Sequence, residues 1–497
     1  MKIDQVRLNL GESTSLLPKK IQKKTGRKVK NWRILKESID ARNKKDIHMV
    51  YSVEFNYDPS YEIGRLDIPA ASSKNPPVVV GFGPCGIFAA LALARAGLRP
   101  VVLERGMDVD RRTEQVDLFW KEGRLNPESN VQFGEGGAGA FSDGKLTTGI
   151  KDPRIAFILR ELRDHGGPED IIYKARPHIG TDILKTVVKN IREEIKELGG
   201  TVVFGARVSG IITQEHRVTG VEYIKDEEKF SIDTEHLILA IGHSSRDTLK
   251  WLDDMGISMS QKQFSMGVRI EHPQDLIDIA QYGKPSGELG LPAADYKLSY
   301  RTEEGRGVYT FCMCPGGQVV VASSEEGMVV TNGMSYHARN SGYANSAVLV
   351  DVRPEDFGTD DVLGGVYLQQ KYEKLAYELG RGYHAPEALW KELRDGCAPQ
   401  ISGCIPDFVE SSIKEAMPEF GRKIKGFDKD DAVIYAVESR SSSPVRFRRA
   451  ESYEGYVGEE ILAGFYPSGE GAGYAGGIVS AAADGLRVAM NIISRLA

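Results

Sequence analysis

Hydrophobic and polar residues change period several times along the chain, and each change predicts an element. The clearest succession is Val78 to Gly106, VVVGFGPCGIFAALALARAGLRPVVLERG. The β-branched run Val78-Val79-Val80 predicts a buried strand. Gly81-Phe82-Gly83-Pro84-Cys85-Gly86 interrupts it, and an apolar helix is predicted from Ile87 to about Ala96. Gly97 closes that helix, and Val101-Val102-Leu103 predicts a second strand ending on Glu104. Upstream, Val6–Leu10 and His48–Tyr57 alternate like strands, whereas Leu16–Lys24 and Trp32–Ile39 read as short helices. These four form a small α+β module over residues 1–72, joined to the rest by the linker PAASSKNPP, Pro69–Pro77.

Downstream, a polar helical stretch follows Glu104, then the glycine-rich run Phe133–Leu146, FGEGGAGAFSDGKL. Asp182–Leu198 predicts an amphipathic helix. Thr201–Phe204 and Val218–Tyr223 predict strands flanking Arg207-Val208, and His236–Ile241 a buried strand. From about Phe264 to Arg440 the rhythm changes, with a strand near Gln318–Ala322 and helices near Tyr367–Leu379 and Ser411–Ala416. The end of the chain returns to the earlier pattern, with a strand at Ile461–Phe465, a glycine-rich turn at Gly469–Gly477 and a helix from Ile478 to about Leu496. The domains expected are therefore 1–72, 73–263, 264–440 and 441–497, with the third inserted between two parts of one nucleotide-binding sheet. The fold class expected is α/β, a Rossmann-like domain with an inserted α+β substrate domain and the small N-terminal module.

Strand, glycine turn, helix, strand and acid in this order form a dinucleotide fingerprint. Gly81 allows the tight turn, Gly83 lets backbone approach a pyrophosphate, and Gly86 lets helix and strand pack closely. The helix N-terminus offers N–H groups and a positive dipole end to phosphates, and Glu104 stands where a ribose would donate to it. Three features favour FAD over NAD. The second strand ends Leu103-Glu104-Arg105-Gly106. No second G-x-G-x-x-G lies between residues 150 and 300. The segment Tyr466–Gly485, YPSGEGAGYAGGIVSAAADG, sets Glu470 among glycines before a small-residue helix whose N-terminus can face a flavin pyrimidine.

On these segments, together with NVQFGEGGAGAFSDGKL, FSMGVRIEHPQ, FCMCPGGQVV, NGMSYHARNS and ESRSSSPVR, the chain resembles FAD-dependent oxidoreductases of the glutathione-reductase-like superfamily. More closely it resembles a bacterial group of uncharacterised FAD-dependent dehydrogenases, whose basic N-terminal module it also shares. The resemblance implies that Gly81, Gly83, Gly86 and Glu104, with the adjoining Pro84 and Arg105, hold the ADP half of FAD. It places Gly136, Gly137 and Ser142 near the pyrophosphate and flavin, and the Val208 backbone near the adenine. Glu470, Gly476, Gly477 and Ile478 would meet the ribityl and pyrimidine parts. Cys85 replaces the Ala or Ser more usual at its position and is small enough to fit.

Candidate chemistry beside a flavin centres on Cys312 and Cys314, which are either a redox pair or small hydrophobes on one face of a strand. No cysteine spacing predicts a metal site. His337 is a candidate proton shuttle and Arg339 a candidate anion holder. Arg440 and Arg446 flank Ser441-Ser442-Ser443-Pro444 as a second anion-binding candidate. Arg269 either faces the cleft or pairs with an acid.

Charge sharpens one point. Residues 1–50 carry 14 Lys or Arg and 5 Asp or Glu, a balance of +9, so with −6 for the whole chain the remainder carries −15. A basic module can favour an anionic partner, which leaves an FAD-bearing RNA-modifying or RNA-binding protein as the alternative reading. A non-catalytic flavin module in a redox complex is a third. The five sparse cysteines and the lack of an apolar signal core favour a cytoplasmic location. The leading expectation is an FAD-dependent oxidoreductase acting on a small-molecule substrate, either neutral or anionic, with NAD(P)H or another electron donor, no membrane, and nucleic acid not expected.

Overall fold

The computed structural model describes residues 1–497. The two fingerprint strands lie at the centre of a five-stranded parallel sheet. Its order is Phe465–Pro467, Leu237–Leu239, Val78–Val80, Val101–Glu104, Thr201–Phe204. Period-two geometry divides these strands between two cores. Val79, Val102, Ile238 and Tyr466 face the helices Pro84–Arg95, Thr181–Glu197 and Ile478–Leu496. Val78, Val80, Leu103, Leu239 and Phe465 face a three-stranded antiparallel sheet, Arg207–Gln214, Arg217–Lys225 and Glu228–Asp233. The helix Ile478–Leu496 crosses Pro84–Arg95 at Gly485, where a Cβ would sit 2.1 Å from the Cys85 carbonyl oxygen. Small residues are therefore required at that crossing.

A second, six-stranded antiparallel sheet is built entirely from residues 264–438. Its order is Ser299–Arg301, Gly307–Cys314, Tyr343–Val352, Phe264–Pro273, Val433–Glu438, Glu387–Leu389. The helices Gln274–Tyr282 and Asp407–Lys423 cover one face of this sheet. The chain then returns to the parallel sheet through Phe465–Pro467 and the last helix.

Two expectations are corrected here. Trp32–Asp40 is a strand, not a helix, and it pairs with His48–Phe55 in the N-terminal sheet. Its register slips between Ile34 and Lys36, so Leu35 is an extra residue against Val53-Ser52. That bulge breaks the alternation and leaves apolar residues at a spacing that imitates a helix. The strand expected at Ile461–Phe465 is split: Ile461 ends the short strand Glu460–Ile461, paired with Tyr456–Val457, and the parallel strand begins only at Phe465. Gly464, at φ +81°, turns the chain before the parallel pairing of Phe465 with Leu237 starts. No helix of the chain is long and apolar enough to cross a membrane.

Candidate functional site

The fingerprint glycines do three different jobs. Gly81 has φ +95°, and a Cβ there would lie 2.4 Å from the Ala240 carbonyl oxygen. A Cβ on Gly86 would lie 1.9 Å from the Gly81 oxygen, so its absence lets helix and strand meet. Gly83 is extended, φ −81° and ψ −175°, and caps the helix Pro84–Arg95 without any side-chain hydrogen bond to the first turn. The nearest atom to a Cβ on Gly83 is the Gly137 Cα, 3.5 Å away. Gly83 and Gly137 thus approach each other backbone to backbone, since a Cβ on Gly137 would lie only 3.0 Å from the Gly83 Cα. The helix entrance beside it has N–H groups free to receive an anion.

Glu104 is buried and pins this turn. Its Oε2 accepts from the Phe82 N–H at 2.7 Å, and its Oε1 from the Gly106 and Gly134 N–H groups at 2.9 Å each. One carboxylate therefore joins the fingerprint turn to the glycine-rich run while still lining the cavity. Arg112, which sequence reasoning missed, shapes that run from behind. It is fully buried and donates to the carbonyls of Asn130, Val131, Gly134, Glu135 and Gly137 at 2.6–3.2 Å. Burial pulls its pKa down to about 10. An isolated Arg in a polar helix carries no sequence signal for such a role.

One cavity of about 810 Å³ runs from this turn to the six-stranded sheet. Among the expected cofactor residues, Gly81, Gly83, Pro84, Glu104, Arg105, Gly137, Ser142, Val208, Glu470, Gly476, Gly477 and Ile478 line it. Gly136 does not. Its Cβ would meet Ala140 and Val188, so it serves packing. Gly86 likewise lies behind the turn. The Arg105 guanidinium rests on the Phe133 ring, 4.2 Å from its centre, and pairs with Glu128 and Asp247. His243, also missed, lines the cavity with its Nδ1 3.3 Å from Glu470 Oε1.

The cap side holds the candidate chemistry. Pairing of Gly307–Cys314 with Tyr343–Val352 shifts register between Phe311 and Cys314, opposite Ala347 and Asn345. One residue is extra, so Cys312 and Cys314 do not share a face as strict alternation requires. Cys312 has φ +41° and is exposed, whereas Cys314 is buried and its Sγ–H donates to the Cys312 carbonyl at 3.2 Å. Burial pushes the Cys314 thiol up to about 12. Both cysteines are free thiols. Arg269 is fully buried and pairs with Glu438 through two bonds of 2.7 and 2.6 Å, which settles its role as an acid partner. It also donates to Asn345 Oδ1 and to the Cys312 carbonyl, so it supports the bulge.

The remaining candidates are dispersed. Arg339 lines the cavity, but Asp143 holds it through bonds of 3.1 and 2.5 Å. His337 stands apart: its Nδ1–H donates to the Ile179 carbonyl at 2.9 Å, its ring stacks on His178, and it is absent from the cavity wall. Arg440 is bonded to Glu373, Glu325 and Ser324 in a buried cluster that Arg246 completes. Arg446 lies outside the cavity with its guanidinium 4.5 Å from the centre of the Tyr474 ring.

The pinned glycine turn, its open helix entrance, the close approach of Gly83 and Gly137 and a second helix start at Gly477–Ile478 along one cavity suit a long dinucleotide with two phosphates. Comparison with known proteins agrees. The family described as FAD-dependent protein, C-terminal domain-like matches residues 263–399 and 392–441, and a domain of unknown function matches residues 1–56. A Clostridium beijerinckii protein, described as uncharacterised, is 47% identical, with 100% of this chain and 99% of that one covered. Among solved structures, a triple mutant of a flavin-dependent brominase shares 13% identity over 84% of this chain and 81% of its own, with a TM-score of 0.41. A 3-ketosteroid dehydrogenase from Rhodococcus jostii shares 12% over 87% and 98%, with a TM-score of 0.36. At that distance neither bears on the reaction of this chain. The full-length relative and the matching C-terminal domain decide the point: the chain belongs to this family of FAD-dependent proteins, and FAD is its cofactor.

Proposed function

We propose that the chain is an FAD-dependent oxidoreductase of dehydrogenase type that exchanges a hydride with a small molecule bound between cofactor and cap sheet. The observation that carries this reading is the continuity of one cavity from the fingerprint turn to the bulge at Cys312. Bound FAD supplies two-electron chemistry at its flavin ring. The chain supplies the rest. The Gly81–Gly83 turn and the helix entrance receive the pyrophosphate, Glu104 accepts from the ribose, and the Val208 backbone borders the adenine. Glu470 and the Gly476–Ile478 helix start meet the ribityl and pyrimidine parts. The dipole of the helix Ile478–Leu496 then favours negative charge at its N-terminal end. The cap sheet closes the opposite wall against water and presents Cys312.

The test is an anaerobic absorbance screen of the purified, FAD-loaded protein against NADH, NADPH and a metabolite library. Bleaching of the flavin by a metabolite, reversed by an electron acceptor, is expected. Stoichiometric FAD that no donor reduces and no acceptor reoxidises would instead support a non-catalytic flavin module. No structural observation favours the nucleic-acid alternative.

A further inference from the structure

The five arginines that line the cavity all have carboxylate partners within the chain. Two lysines there, Lys145 and Lys297, have none, and Lys297 is exposed. Lys145 is half-buried, and its backbone is fixed on both sides. The Leu146 N–H donates to the Pro177 carbonyl at 3.0 Å, and the Gly144 carbonyl accepts from Ile179 at 3.0 Å. Lys145 pairs in an isolated β-bridge with His178, whose ring stacks on His337, and Asp143 two residues before it is tied to Arg339, so this segment lies against the cap rather than at the nucleotide end. Asn332 lines the same cavity. Its Oδ1 accepts from the Gly333 N–H at 2.8 Å and faces Arg269 Nη2 at 3.5 Å, while its Nδ2 has no acceptor in the chain. The Lys145 ammonium, the Asn332 amide and the Cys312 thiol are thus three donors without an acceptor in the chain, and one of them is a cation.

We propose that the cap end is a carboxylate site in which the Lys145 ammonium and the Asn332 amide hold an anionic organic substrate. This rests on the oxidoreductase reading above and adds the class of molecule that reacts there. One ammonium and one neutral amide balance a single negative charge. A phosphate dianion would leave charge uncompensated in a partly closed site. The arginines singled out in the sequence cannot serve, because each is already neutralised or lies elsewhere.

The experiment titrates FAD-loaded protein with benzoate and propionate, two monocarboxylates, following the flavin absorbance spectrum. Benzamide serves as the neutral isostere and inorganic phosphate as the other anion. A saturable perturbation by at least one carboxylate is expected, with none from benzamide. Lys145→Met should retain stoichiometric FAD yet weaken that carboxylate by about 10- to 100-fold, the range for a charge-assisted hydrogen bond. Lys145→Arg should recover part of the affinity, and Asn332→Ala should lose less than Lys145→Met. The site is overturned if neither carboxylate perturbs the flavin, if benzamide or phosphate binds as tightly, or if Lys145→Met leaves the affinity unchanged. It is also overturned if Lys145→Met loses FAD, which would assign Lys145 to the cofactor. Native protein that takes up no FAD overturns the oxidoreductase reading and this site with it, whereas FAD uptake without a carboxylate response overturns the site alone.

Discussion

Substituting the fingerprint glycines one at a time separates what the fold needs from what the cofactor needs. At Gly86 a Cβ would stand 1.9 Å from the Gly81 oxygen, so Gly86→Ala forces helix and strand apart. Overpacking of that kind costs about 1–3 kcal/mol. At Gly83 the nearest atom is 3.5 Å from the new Cβ, and the backbone, at φ −81°, suits any residue. Gly83→Ala should therefore change flavin-free stability by less than about 1 kcal/mol, because the entropy lost by the unfolded chain opposes a poorer helix cap. Gly83→Val places branched methyl groups where phosphate oxygens must approach the backbone. Losing two charge-assisted bonds at about 1.5–3 kcal/mol each removes about 3–6 kcal/mol, or ~10²- to 10⁴-fold in Kd. Thermal unfolding of the flavin-free proteins reads the first effect, and FAD fluorescence titration the second. Gly83→Val with an unchanged FAD Kd would refute the assignment of the phosphate site. A flavin-free Tm loss in Gly83→Val as large as that in Gly86→Ala would refute the packing argument.

Three further outcomes follow from particular contacts. Arg269→Met leaves Glu438 buried without its cation and should cost about 3–5 kcal/mol, measured by denaturant unfolding; a loss below about 1 kcal/mol would contradict the buried pair. In flavin-stripped protein, alkylation followed by mass spectrometry should mark Cys312 and Cys397 first. Cys85, Cys314 and Cys404 should react only on unfolding, and rapid native labelling of Cys314 would show that the bulge is misplaced. Glu194, which takes a hydrogen bond from His165 and pairs with Arg95, titrates near 2. Because its folded value is depressed, its stabilisation is complete above the ordinary carboxylate range near 4.5 and is lost as pH falls toward 2. Glu194→Gln should flatten that part of the acid-unfolding curve followed by circular dichroism, and an identical curve would discount the pair.

Much of the nucleotide half was legible because its signals are local. Val78-Val79-Val80, apolar on both faces, fits a strand covered on both sides, and Gly81 at φ +95° is the kind of position glycine fills. The helix expected at Ile478–Leu496 occurs over that span because its small and apolar residues repeat at the helical period. The cap side was legible only in outline. Both the misread strand Trp32–Asp40 and the misplaced Cys312–Cys314 pair contain a bulge, which puts one extra residue against a partner strand far away in sequence.

What the sequence determined by itself, then, is the order of the elements, the dinucleotide turn and the acid that ends its second strand. Each of these depends on residues a few positions apart, through backbone conformation and periodicity. Only the tertiary structure decided which charges remain free. Arg339, Arg440 and Arg269 stand out along the chain and Lys145 does not, yet Asp143, Glu373 and Glu438 arrive from distant segments and neutralise the three arginines. No carboxylate arrives for Lys145. Ion pairing is set by distance in space, and the sequence spacing of these groups does not encode it.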